Sequence, residues 1–276
     1  MTATHAPAPP GARTRSRGRI GATISRRRFL AIAVTTFLVL IAAWTLVSAA
    51  GIVDDLFLPS PLAVVGAFVE QVRNGNFAAD LSVSVYRIAV GYFIATAMAV
   101  PLGILMGSFR VWEAAIEPLV DFVRYMPVVA FVPLSILWVG TDDSQKFLII
   151  WLGTFFQQVL LIMDASKRVP KDFLNLGRTL GLKDREILWR IVLPSSAPGI
   201  WDALRISLGW AWTWLVLAEL VAATSGLGYR ITISQRYFNT DVIIAYVLVL
   251  GFLGLVSDQL MKAAGRRMFK YQERAS

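Results

Sequence analysis

Arg205, Trp212 and Glu219 stand seven residues apart, which puts a cation, an indole and a carboxylate nearly on one line of a helix, with Gly209 on the same side. Inside an apolar segment a guanidinium holds oxyanions by charge-assisted hydrogen bonds, so this stripe suits the wall of a path for a small anion. Arg124, one helical turn before Pro127, is a second candidate contact. The same stripe also suits plain packing, because Asp202 precedes Arg205 by three residues and can neutralise it. Glu113, Glu117 and Asp121 share a helical face at four-residue spacing, but carboxylates alone make neither a metal site nor an acid–base pair. The chain has no Cys, and its single His, His5, lies in a Pro/Ala-rich stretch. We therefore expect no catalytic residue and no metal site, and read the carboxylates as a hydrated or ion-paired helix end.

The elements that must position these residues are membrane helices. Of 276 residues, 56% are hydrophobic and only 16% charged, against roughly a quarter charged in an ordinary soluble domain. Mean hydropathy is +0.61, and several apolar runs approach the ~20 residues that span a bilayer. An all-α integral membrane protein of six transmembrane helices is expected. Residues 1–28 read as a disordered basic cytoplasmic tail, 29–264 as the six-span domain and 265–276 as a second cytoplasmic tail. The spans are expected at about 29–50, 81–108, 117–140, 147–163, 195–223 and 242–264, the third broken by Pro127 and Pro133. Between the first two, Pro59-Ser60-Pro61 opens a short amphipathic helix at the outer interface. Ser25-Arg26-Arg27-Arg28 resembles a twin-arginine export signal, but the apolar run behind it is longer than a signal core, favouring a retained first span.

Charge sets the orientation. Twenty of the 27 Lys and Arg fall in the segments expected inside and five in those expected outside, namely Arg73, Arg87, Lys146, Arg230 and Arg236. Positive charge concentrates on the cytoplasmic side, so both termini are expected there, in a bacterial cell membrane. The net charge of +9 then needs lipid and topology, not nucleic acid, to explain it.

Residues 164–194 are longer than a connection requires. Phe173, Leu174, Leu176, Leu180 and Leu182 form an apolar knob among charges, broken at Gly181, and a second helical stretch ends at Pro194. The spacing fits either a helix pressed into a groove of a cytoplasmic partner or one lying on lipid headgroups.

Gly181, nine further residues and Ile191-Val192-Leu193-Pro194 resemble the signature loop of bacterial ABC-importer permeases, E-A-A, three residues, G, nine residues, I-x-L-P. Asn175-Leu176-Gly177 occupies the E-A-A positions, a departure in the first turn. Leu58-Pro59-Ser60-Pro61, Met126 to Leu134, Ala218-Glu219-Leu220 and Ser225-Gly226-Leu227-Gly228-Tyr229 look like the nitrate, sulfonate and taurine branch of these permeases. The resemblance implies a type I importer fold with two permease subunits, expected to be a homodimer, two cytoplasmic ATPases and an extracytoplasmic binding protein. It makes Leu174, Asn175, Leu176, Gly177, Thr179, Leu180, Gly181, Ile191, Leu193 and Pro194 the ATPase-coupling residues. The chain has no G-x-x-x-x-G-K-[ST], so ATP and Mg belong to the partner ATPase and no cofactor is expected here. The implied cargo is a small anion such as nitrate, taurine or an aliphatic sulfonate. The rivals are a stand-alone secondary transporter of a small anion, which calls for an internal repeat that is not evident, and a membrane-embedded enzyme.

Overall fold

A computed structural model describes residues 24–270, which are helical apart from short connections. The chain divides into two units, Met1–Ile52 and Val53–Ser276. The first contains α1 (Arg26–Ala49), started by the Ser25 hydroxyl, which accepts from the Arg28 amide at 3.4 Å. Arg26 to Arg28, expected at the end of the tail, thus form the first turn of this helix, and the rest of the tail, to residue 23, lies outside the described residues.

The second unit holds α2 (Pro61–Arg73), α3 (Asn76–Ser108), α4 (Arg110–Arg124), α5 (Phe131–Val139), α6 (Asp143–Lys167), α7 (Lys171–Thr179), α8 (Asp184–Ile187), α9 (Leu193–Ala222), α10 (Leu227–Arg236) and α11 (Thr240–Met268). Ser60 caps α2 by accepting from the Ala63 amide at 3.2 Å, with Pro61 in its first turn, as the Pro-Ser-Pro pattern requires. Among the described residues five helices are long and apolar enough to cross a membrane, and a sixth span exists if α4 and residues 128–139 count as one, bent by 77°. The break falls at Met126-Pro127, where the proline has no N–H to continue the ladder and a short 3₁₀ turn (Val128–Ala130) restarts it. α10 is an element the sequence reading did not separate from its loop. α11 continues through Gly265 to Met268, so the second tail begins helical, and residues 271–276 lie outside the described residues.

The unit is centred on α3 against α6. Gly91, Ala95, Ala99, Gly103 and Gly107 recur every four residues along α3, and a Cβ on Gly103 would lie 2.7 Å from Ile162 Cβ, one on Gly107 2.6 Å from Ser166 Cβ. Lipid tails are as apolar as leucine, so helices associate in a bilayer through such close backbone approach rather than by hydrophobic burial. Ile150, Val159 and Ile162 of α6 are fully buried in consequence.

Candidate functional site

The buried charged residues Asp80, Arg87, Lys146 and Glu219 meet where α9 reverses into α10. Glu219, 1% exposed, accepts from Arg87 Nη1 at 2.8 Å, from the Ser84 hydroxyl at 2.8 Å and from the Gly228 amide at 2.8 Å. Asp80 accepts from the Gly226 amide at 3.2 Å and from Arg230 Nε at 2.8 Å, while Ser84 Oγ accepts from the Leu227 amide at 2.9 Å. The first amides of α10 are therefore satisfied by anionic or hydroxyl side chains, the polarity a helix N-terminus favours. On the other strand of the reversal, Lys146 Nζ donates to the Ala222 carbonyl at 2.7 Å, closing the C-terminus of α9 with a cation. Arg87 also donates to the Ser225 carbonyl at 2.6 Å and to Asp143 at 2.7 Å, tying α3, α6 and α9 to this turn. Burial alone would lower the Arg230 guanidinium, but the hydrogen bond and charge of Asp80 reverse it and hold its pKa above the ordinary value.

Gly226 belongs to this arrangement for two reasons. Its φ of +113° is unfavourable for any side chain, and a Cβ there would fall 2.4 Å from Glu219 Oε1. Ala218-Glu219-Leu220 and Ser225 to Tyr229, two separate stretches of the sequence reading, are thus two halves of one structure.

Arg205, Trp212 and Glu219 share one line of α9, and their polar atoms have partners within the chain. Arg205 Nη1 donates to Asp258 at 2.8 Å, Trp212 Nε1 to the Ser257 hydroxyl at 3.1 Å, and Trp201 Nε1 to the Met261 carbonyl at 2.8 Å, all on α11. Within the chain the stripe expected to line a path forms the seam between α9 and α11 and, at Glu219, the junction with α3 and α10. Asp202 supplements it, accepting from Arg205 Nε at 3.3 Å. The expected five external cations also change meaning. Arg87 is 4% and Lys146 1% exposed, and Arg230 is bound to Asp80, which leaves Arg73 and Arg236 as the exposed cations of the segments expected outside. Arg87 was detectable in the sequence, as a charge within an apolar run.

A different face of α9 is open. One residue beyond Trp212, and so about 100° around the helix, Thr213 is exposed together with Gly209 and Trp210. Trp210, Thr213 and Trp214 with Gln157 of α6 border an open cleft of about 340 Å³. The Trp214 ring lies across Gly153, where a Cβ would come within 2.3 Å of the indole. Gln157 also borders a small recess shared with Arg124, Met126 and Phe131 at the bend between α4 and α5. Arg124 pairs with Asp121 at 2.9 Å, and its guanidinium stands 4.7 Å from the Tyr125 ring centroid, so it reaches this face neutralised and stacked. Glu113 is paired with Lys167 at 3.2 Å, as expected of an ion-paired helix end.

In the 164–194 loop, α7 ends in a Schellman turn. The Leu182 amide donates to the Gly177 carbonyl at 3.0 Å and the Gly181 amide to the Arg178 carbonyl at 2.9 Å, with Gly181 at φ +76°. No atom of the described residues lies within 4 Å of a Cβ built on Gly181, so backbone conformation, not crowding among them, calls for glycine there. Close approach belongs to Gly177, whose Cβ would meet Ile191 Cδ1 at 2.7 Å. The glycine that departs from the E-A-A pattern thus lets α7 lie against the second half of the loop. Leu174, Leu182, Ile187, Ile191 and Val192 form a small core there, while Phe173, Leu176 and Leu180 are 49%, 57% and 69% exposed. Thr179 donates its hydroxyl back to the Asn175 carbonyl at 3.0 Å. Pro194 has no N–H for the Arg190 carbonyl, and the helix widens into a π-turn over Leu188–Val192 just before Leu193.

Comparison with known proteins fits this geometry. Residues 99–270 match the family described as binding-protein-dependent transport system inner membrane component. An ABC transporter permease protein of Brucella abortus is 39% identical over 246 residues, covering 89% of this chain and 97% of that one. The taurine transport system permease protein of Escherichia coli is 29% identical over 246 residues, covering 87% and 90%. An inward-facing methionine ABC transporter superposes with a TM-score of 0.58 at 20% identity, over 68% of this chain and 92% of the other. Families of this kind leave ATP hydrolysis to a separate subunit, so both the secondary-transporter and the enzyme readings fall away. The chain belongs to the binding-protein-dependent transport system inner membrane components, the multi-pass permease subunits of ABC importers.

Proposed function

We propose that this permease works as a homodimer with both termini in the cytoplasm, passing a small anion such as taurine, another aliphatic sulfonate or nitrate along the open face of Gln157, Trp210, Thr213, Trp214 and Arg124. The observation that carries the reading is polarity on an exposed surface of membrane helices: Thr213 is exposed, and Gln157 opens onto the same cleft. Amide and hydroxyl groups are costly against lipid, so such a face belongs against a partner subunit or a water-filled path. Tryptophan N–H, amide and hydroxyl donors at that face hold an anion weakly, which suits a site that must also release it.

The solvent-facing Phe173, Leu176 and Leu180 are then the knob inserted into an ATPase groove, with Gly177, Gly181 and Pro194 shaping the helix that carries it. The likeness to a taurine permease supports a sulfonate cargo. The deciding experiment reconstitutes the permease with its ATPase and binding protein in liposomes and follows labelled taurine, hexanesulfonate and nitrate. Saturable, ATP-dependent uptake of one of them is expected; uptake of none, with binding-protein-stimulated hydrolysis intact, overturns the anion assignment.

A further inference from the structure

On the flank of the coupling loop, between the end of α3, the start of α4, the end of α6, α7, α8 and the π-turn that follows it, lies a cavity of about 570 Å³. Its charged lining is Arg110, Lys167, Lys171 and Arg178 against Glu113 and Asp184. Glu113 is consumed within the chain, paired with Lys167 at 3.2 Å and Arg110 at 3.6 Å. Among the described residues, Lys171 and Arg178 make no ion pair, and they line the cavity from one face of α7 with Leu174 between them at helical spacing. The opposite wall is apolar, made by Ile187, Leu188 and Val192. The Ser108 hydroxyl, at the α3 end of the lining, has no hydrogen-bond partner among the described residues.

Two uncommitted cations beside an apolar wall, at the ends of membrane helices, match one ligand chemistry. We propose that this cavity binds an anion carrying a short apolar chain, its oxyanion head on Lys171 and Arg178 and its chain against Leu174, Ile187 and Leu188. Arg178 offers a planar fork for two oxygens of a phosphate or sulfonate, and Lys171 adds a point charge. Asp184 keeps the site from being a general anion trap, since it opposes any ligand that does not bring apolar contact as well. The face of α7 used here is not the one carrying Phe173, Leu176 and Leu180, so ligand and ATPase can be held at the same time. A bound ligand would brace α7 against α3, linking occupancy of the cavity to the position of the coupling helix. Two sources supply this chemistry, a phospholipid of the membrane or a free organic acid such as an alkanesulfonate. The site stands on the cavity alone and does not depend on which anion is transported.

The test uses the full chain, delipidated in an uncharged detergent, titrated calorimetrically with dihexanoyl phosphatidic acid, hexanesulfonate, dihexanoyl phosphatidylcholine and inorganic phosphate. Dihexanoyl phosphatidic acid or hexanesulfonate should bind saturably, at least tenfold tighter than phosphatidylcholine or inorganic phosphate, and K171Q/R178Q should weaken it tenfold or more. Asp172→Asn, on the same helix but outside the cavity lining, should leave binding within twofold. Thermal unfolding of K171Q/R178Q without ligand checks that the variant is folded, and Leu188→Asn, which polarises the apolar wall while keeping both cations, should weaken the same probes if the double variant proves unstable. Native mass spectrometry of chain taken directly from membranes separates the sources: phospholipid retained by wild type and lost from K171Q/R178Q identifies lipid, and equal retention with loss of hexanesulfonate binding identifies a free acid. Binding of both amphiphilic anions that is absent, or unchanged by K171Q/R178Q and by Leu188→Asn, overturns the proposal.

Discussion

Arg87 Nη1 lies 2.8 Å from Glu219 Oε1, and the two residues, 132 positions apart in the chain, are both almost wholly buried. A buried ion pair is held by its surroundings as much as by mutual attraction, and here backbone groups of the α9–α10 turn, with Ser84 and Asp143, take up further valences of the two partners. Removing one partner therefore strands the other.

Arg87→Ala or Glu219→Ala should each cost about 3–5 kcal/mol, the usual consequence of leaving one buried charge uncompensated. Reversible unfolding in mixed micelles measures this. Glu219→Gln, whose single carbonyl oxygen in the place of Oε2 can accept from both Ser84 and Gly228, should lose less than Glu219→Ala, and equal losses would mean that these contacts contribute nothing.

Gly226→Ala and Gly181→Ala should behave differently, although both glycines have positive φ. At Gly181 the cost is the left-handed backbone alone, about 1–2 kcal/mol, and the helix turn survives. At Gly226 the methyl group also strikes Glu219, so that variant should lose much more stability and accumulate poorly in membranes. Comparable expression and melting temperatures for the two would refute the assignment.

Arg205→Ala removes a link between α9 and α11 that is partly open to solvent, with Asp258 36% exposed. It should lower stability by about 0.5–1 kcal/mol and reduce uptake only as far as it reduces the amount of assembled complex. Assembly at the wild-type level with uptake cut more than tenfold would return Arg205 to a transport path.

Trp210→Ala, Thr213→Val and Gln157→Leu should do the reverse. These side chains are at the open face, so the complex should assemble while uptake per complex falls several-fold, with Arg124→Gln shifting anion preference. Uptake in liposomes, normalised to the permease recovered from them, checks this.

Because the natural chain is free of Cys, single cysteines report sidedness without background. Thr179→Cys should react with an impermeant maleimide only after membranes are opened, whereas Asn74→Cys and Ser144→Cys should react in intact spheroplasts. All three positions are exposed in the chain. Labelling of Thr179→Cys from outside would invert the proposed orientation.

Much of this protein is written in local sequence. Apolar run lengths determine the number of spans, Pro127 determines where α4 and α5 part, and the spacing from Gly181 to Pro194 marks the loop proposed to couple to the ATPase, because each of these depends on residues within a few helical turns. A seven-residue spacing likewise determines that Arg205, Trp212 and Glu219 share a face. What that face meets was decided by tertiary structure. α9 carries apolar and polar residues around much of its circumference, so periodicity does not distinguish the side turned to α11 from the side left open. The partners that choose between them, Ser257 and Asp258 for one part and Ser84 and Arg87 for the other, come from helices far away in the chain. Helix association in a bilayer rests on close backbone approach and matched hydrogen bonds rather than on hydrophobicity, and those matches exist only once the helices stand side by side.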